Sequence, residues 1–82
     1  MEKNKLLVAI GKRIKQLRKN KGFSQDNFAL EAGLDRSFYG HFERGDRNIS
    51  LLNLLKIAVA LKVEVGELFP EINEIVNIIK DT

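Results

Sequence analysis

Apolar residues recur along this chain at helical spacing. Leu6, Leu7, Ile10, Ile14 and Leu17 fall on one side of a 3.6-residue period, which predicts an amphipathic helix from about Lys3 to Asn20. Lys21-Gly22 ends it, because Gly22 can adopt the left-handed conformation of a helix C-cap. The next three helices share one start signal. Ser24, Asp35 and Ser50 are good N-cap residues, preceded by Phe23, Leu34 and Ile49. Five positions after each of those apolar residues comes another: Phe28, Tyr39 and Leu54. Three such pairs are three hydrophobic staples. They predict helices from Ser24 to Ala32 (stopping at Gly33), from Asp35 to Arg44 (stopping at Gly45), and from Ser50 to about Leu61. The last of these is expected to bury Leu51, Leu54, Leu55, Ala58 and Leu61.

Val65, Leu68 and Phe69 read as a short helical turn before Pro70. Pro70 can open a fifth helix, with Glu71 favourable in its first turn. Ile72, Ile75, Val76 and Ile79 follow at i, i+3, i+4 and i+7, with Ile78 beside them. So many β-branched residues do not belong on the rim of an 82-residue monomer, and residues 71–82 are expected to form a dimerisation helix. Strand-type alternation, repeats and linkers are absent. The expected fold is all-α: one compact five-helix bundle spanning residues 1–82.

Composition narrows the chemistry. A chain this short is marginal alone, and without cysteines or clustered metal ligands neither disulfides nor zinc can supplement its core. Oligomerisation is the remaining remedy. His41, the single histidine, has no second ligand near it, so neither a metal nor another cofactor is expected. A nucleophile–base pair and a phosphate-cradling glycine loop are both missing, which argues against an enzyme. Nothing resembles a membrane span, a signal peptide or a separate domain for a small-molecule effector. A cytoplasmic protein on the bacterial nucleoid is expected. The net charge of +3 is unevenly spread: residues 1–22 carry eight Lys/Arg against Glu2 alone, while residues 62–82 carry two against five acids. A cationic end suits a polyanion, though a solvated lysine-rich helix gives the same signal.

Between Gln25 and Arg44 two short helices meet at a turn centred on Gly33. Ala29 is small enough for another helix to cross closely, and Tyr39 and Phe42 give the second helix a buried face. This is a helix-turn-helix, whose second helix, Arg36 to Arg44, reads the major groove. With Tyr39 and Phe42 inward, Arg36, Ser37, Gly40 and His41 face outward and Phe38 lies on the flank. Arg36 can present a fork to guanine O6 and N7, and Ser37 can bond a base edge or a phosphate. Phe38 fits either a thymine methyl or the small core, and His41 either the groove or plain surface. Gln25 opens its helix where free N–H groups favour a phosphate. Arg44, Arg47 and Asn48 flank the following loop within reach of the DNA backbone, Arg44 with solvent as its other reading. Gly40 in mid-helix costs roughly 1 kcal/mol relative to Ala and points to a close approach.

From Leu7 to Phe69 the sequence resembles the phage repressor and Cro-like (XRE-type) helix-turn-helix family, of lambda-repressor-like fold. The resemblance rests on Ile10-Gly11-Lys12-Arg13-Ile14, Leu17-Arg18, Phe23-Ser24-Gln25, Phe28-Ala29, Ala32-Gly33-Leu34 and Phe42-Glu43-Arg44-Gly45. Ser50, Leu54, Ala58, Leu61, Val63 and Leu68-Phe69 complete it. Leu34-Asp35-Arg36-Ser37-Phe38, Glu43-Arg44 and Arg47-Asn48 look most like the controller proteins of restriction–modification systems, small dimeric regulators of their own operon. Phage-type or orphan repressors carry similar strings, and antitoxins reuse the fold to bind proteins. The resemblance implies a homodimer on a near-palindromic double-stranded DNA operator. It also implies a phosphate contact for Gln25, a DNA contact for Phe38, and an internal salt bridge between Arg18 and Glu43. The rings of Tyr39 and Phe42 depart from the family, which usually has aliphatic residues there.

Overall fold

Residues 4–81 are described in the computed structural model of the protein. Lys3, the expected start of the first helix, and Thr82, the end of the expected dimerisation segment, lie outside the described residues. Five α-helices follow one another among the described residues: α1 (Lys5–Asn20), α2 (Gln25–Ala32), α3 (Arg36–Arg44), α4 (Leu51–Leu61) and α5 (Ile72–Lys80). A 3₁₀ turn, Val65–Leu68, joins α4 to α5. No strand occurs among the described residues.

Local chemistry sets the helix starts. Ser24 Oγ accepts from the Asn27 N–H at 3.1 Å, Asp35 Oδ1 from the Ser37 and Phe38 N–H groups at 2.9 and 3.2 Å, and Ser50 Oγ from the Asn53 N–H at 3.1 Å. Each bond satisfies a donor that has no partner within its own helix. Asn4 does the same for α1, accepting from Leu6 and Leu7 at 2.9 and 3.1 Å. Gly33 and Gly45 end α2 and α3 in the left-handed region, where a side chain would be strained. α4 ends in that region too, but on Lys62, at φ 58°.

The core is one cluster. Ile10, Ile14 and Leu17 of α1 meet Phe28 and Ala29 of α2, Tyr39 and Phe42 of α3, and Leu54, Ile57 and Leu61 of α4. The Phe23 ring meets Phe28 edge-on at 5.4 Å, the contact of a hydrophobic staple. Phe28 then lies 5.3 Å from Tyr39, joining α2 to α3 across the turn. α1 and α3 pack closely because Gly11 has no side chain. A Cβ there would lie within 3.0 Å of the carbonyl oxygens of Phe42 and Glu43.

Two expectations need correction. The apolar face of α4 is rotated from the one expected: Leu51 and Leu55 are exposed, at 71% and 41%, while Ile57 is fully buried. Nearly every residue of α4 is apolar, so the helix carries two stripes. Leu54, Ile57, Ala58 and Leu61 form the inner one; Leu51, Leu55 and Val59 form an outer one beside exposed Leu52. Pro70 does not open α5. It precedes the N-cap Glu71, and Phe69 before it is extended, as a residue preceding proline prefers. α5 packs on α1 and buries no residue completely. Its Ile75 and Ile78 are half-buried, whereas Ile72, Val76 and Ile79 are exposed.

Candidate nucleic-acid interface

The buried side of α3 fixes what its outer side can present. Tyr39 and Phe42 anchor it in the core, and Glu43 adjoins them at 6% exposure. An ionised carboxyl needs strong partners at that depth. Arg18 of α1 supplies two parallel bonds, from Nε to Oε2 at 2.7 Å and from Nη2 to Oε1 at 3.1 Å. Its Nη1 donates to the Phe23 carbonyl at 2.7 Å. The Tyr39 hydroxyl donates to Oε2, and Gln25 Nε2 donates to Oε1 at 3.0 Å. No buried side-chain polar atom is left without a partner among the described residues.

Burial alone would push the Glu43 carboxyl up, but the bonds from Arg18, Tyr39 and Gln25 outweigh it and hold the carboxyl below its usual range. The hydrogen bond to Glu43 holds the Arg18 guanidinium above its ordinary value. Burial, then the bond to Glu43, pushes the Tyr39 phenol up. The hydroxyl explains the ring at Tyr39: an aliphatic residue would give Glu43 one donor fewer.

On the opposite side of α3, Gln25, Asp26, Arg36, Ser37, Gly40, His41 and Arg44 line one open polar groove of roughly 360 Å³. The structure therefore brings together five sequence-designated residues: Gln25, Arg36, Ser37, His41 and Arg44. Arg36 stands at the first turn of α3, 75% exposed. His41 Nδ1 lies 2.8 Å from Asp46 Oδ1, and Arg44 Nε donates to Asp46 Oδ2 at 3.2 Å. A slight desolvation raises the Asp46 carboxyl, but the bonds from His41 and Arg44 hold it below its usual range. With Asp46 ionised, Nδ1 of His41 is the donor. The approach inferred at Gly40 is made by Arg44, whose Nη1 would lie 3.1 Å from a Cβ there.

Phe38 is half-exposed on the flank, 6.2 Å from Phe42, with the Arg47 guanidinium carbon 5.7 Å from its ring centre. Asn48 is exposed beside Arg47, outside the groove. Sequence reasoning missed Asp26 and Asp46. Asp26 stands beside Gln25 in the first turn of α2, a position that advertised it. Asp46 lies beyond Gly45, where helical spacing no longer tells which side chains meet.

A buried inner face, an outer face of polar and cationic side chains, and a tight glycine turn between two short helices are the parts of a DNA-reading corner. A helix-turn-helix family model matches residues 14–68, most of the chain. The chain belongs to the XRE-type helix-turn-helix family. Its members are DNA-binding transcription regulators, not enzymes. Among relatives, the chain is 42% identical over 72 residues to the control protein C.MunI of a Mycoplasma species, spanning 87% of this chain and 97% of that one. Among solved structures, it resembles the restriction-modification controller protein C.AhdI from Aeromonas hydrophila, at 54% identity and a TM-score of 0.75. That match covers 77% of this chain and 96% of C.AhdI. SinR, the master regulator for biofilm formation, solved in complex with DNA, matches at 42% identity and a TM-score of 0.69. It covers 72% of this chain and 95% of that one.

A larger and more apolar groove, about 390 Å³, lies elsewhere, against the outer stripe of α4. Leu52, Leu55, Val59 and Ala60 line it with Ala32 of α2. It shares no residue with the helix-turn-helix groove.

Proposed function

We propose that this protein is the controller of a restriction–modification system, acting in the bacterial cytoplasm as a homodimer on a near-palindromic operator of its own operon. The observation that carries the DNA-reading part is the groove over α3, which gathers Arg36, Ser37 and His41 on the face opposite the core. The likeness to C.MunI and C.AhdI over nearly their whole lengths supports the restriction–modification context. In this reading Arg36, Ser37, Phe38 and His41 meet base edges. Gln25, Arg44, Arg47 and Asn48 hold phosphates.

The dimer is assigned to residues 71–82. Ile72, Val76 and Ile79 are 69%, 39% and 58% exposed, and Ile75 lies half-buried beneath them. A chain with this little core gains most by covering such a face. A two-fold axis there would set two recognition helices in successive major grooves, about 34 Å apart.

Sedimentation, together with selection from a pool of randomised duplexes, tests both parts. The wild type is expected to sediment as a dimer and to enrich a sequence with two-fold symmetry. Ile75→Asp with Ile79→Asp should give a monomer with weakened operator binding. An unaltered dimer would move the interface to the outer stripe of α4, where Leu52→Asp with Val59→Asp should then dissociate it. Enrichment of no sequence would overturn the operator reading.

A further inference from the structure

The residues lining the polar groove include one acid, Asp26, which has no part in the reading above. Asp26 Oδ2 lies 3.5 Å from Arg36 Nη1, an ion pair that links the first turn of α2 to the start of α3. Both side chains are largely exposed, at 66% for Asp26 and 75% for Arg36. An acid on a surface that meets phosphates opposes binding, because neutralised phosphates supply most of a protein's affinity for DNA. Its place in the first turn suits the α2 dipole, but that benefit does not require Arg36 beside it.

We propose that Asp26 is a positioning residue that makes Arg36 a reader of bases instead of a phosphate contact. The inference rests on Arg36 being the base-reading residue of the helix-turn-helix. With Asp26 attached, the guanidinium approaches DNA as a neutral pair. A phosphate then meets repulsion from the carboxylate along with attraction to the arginine. A guanine edge carries no net charge and still offers O6 and N7 to the two-donor fork. An exposed ion pair is weak, so Arg36 exchanges it readily for that bidentate contact. Asp26 thus lowers non-specific affinity and keeps the guanidinium within the groove.

The test selects sequences from randomised duplexes with wild type, Asp26→Asn, Asp26→Glu and Arg36→Ala, and with Asp26→Asn in the Arg36→Ala background. Each protein is then titrated on the enriched and a scrambled duplex over a salt series. The base pair whose preference disappears in Arg36→Ala is the one Arg36 reads. Asp26→Asn should lower that preference about three- to tenfold, tighten binding to the scrambled duplex, and steepen its salt slope by about one unit. Asp26→Glu should keep the wild-type preference. In the Arg36→Ala background, Asp26→Asn should change no base preference. Equal tightening on every duplex with the preference intact would make Asp26 a simple repulsive charge and overturn the proposal. No change at all would make it a helix-end residue and overturn it equally. A wild type without any preference would refute the base-reading assignment itself, before any substitution is compared.

Discussion

The Gln25 amide donates at 3.0 Å to Glu43 Oε1, the same oxygen that accepts from Arg18 Nη2. A residue on the rim of the polar groove is thereby tied to an ion pair in the core. Arg18 of α1, Gln25 of α2, and Tyr39 and Glu43 of α3 meet at one carboxylate, so the angle between the two helices of the DNA-reading corner is set from inside.

Loss of Glu43 should therefore be costly. Glu43→Ala leaves the Arg18 guanidinium buried without its carboxylate, which typically costs about 3–5 kcal/mol. Glu31→Ala, on the exposed side of α2, should stay within about 0.5 kcal/mol of wild type. Urea denaturation of both variants checks the contrast, and equal midpoints would remove the ion pair from the stabilising interactions.

The same network gives stability a pH dependence with a defined sign. The folded Glu43 carboxyl is held below its ordinary range, so the unfolded chain binds the proton more readily. Its contribution is present above the unfolded value of about 4.3 and is lost as pH falls through the folded one. The Tyr39 phenol is raised, so its contribution is complete below about pH 10 and declines as the unfolded chain ionises. Melting temperature should fall at both ends, and Tyr39→Phe should flatten the alkaline limb. An alkaline limb unchanged in Tyr39→Phe would show that the decline comes from other groups.

Much of this was legible in the sequence because it is local. Ser24, Asp35 and Ser50 cap helices through bonds spanning two or three residues, and the Phe23–Phe28 staple spans five. The phase of α4 was not legible, since a helix apolar almost all round has no polar face to orient it. Asp26–Arg36 and His41–Asp46 were hidden for another reason: each crosses a glycine turn, and periodicity stops there. Tyr39 and Glu43, four apart on one helix, did carry a signal. A phenol one turn before a carboxylate bordering the apolar stripe is placed to bond it.

Two glycines should respond oppositely to alanine. In Gly11→Ala the new Cβ would overlap the backbone of α3, which cannot yield without separating α1 from α3. A loss of about 1–3 kcal/mol is expected. In Gly40→Ala the neighbour is the end of the Arg44 side chain, which can move aside. Helix propensity should then raise stability by up to about 1 kcal/mol. Thermal melts of the two variants should bracket the wild type, and a destabilised Gly40→Ala would show that the Arg44 guanidinium is held in place.

Lys62 ends α4 at φ 58°, a conformation that strains any residue with a Cβ. Lys62→Gly removes that strain but gives the unfolded chain more freedom, for a net gain of about 0.5–1 kcal/mol. The melting temperature should rise by about 2–8 °C for a domain of this size. No rise would mean that the Lys62 side chain contributes as much through its contacts as its backbone conformation costs.

Arg36 and Arg47 should separate reading from holding. Arg36 lies in the groove at the start of α3, while Arg47 lies beyond α3 over the Phe38 ring. A bidentate base contact contributes about 1–3 kcal/mol of discrimination. Arg36→Ala should therefore weaken the enriched operator and relax preference at one base pair per half-site, while scrambled duplexes bind nearly as before. Arg47→Ala should weaken enriched and scrambled duplexes by similar factors and reduce the salt slope by about one unit for each phosphate it no longer neutralises. Its place over Phe38 adds a condition, because removal of the cation releases the ring it lies against. If Phe38 meets a thymine methyl, Arg47→Ala should also soften the preference at that thymine, and Phe38→Ala should remove it. Titration of the three variants on both duplexes at several salt concentrations decides between the roles. Uniform weakening in Arg36→Ala with every preference retained would shift base reading to Ser37, Phe38 and His41.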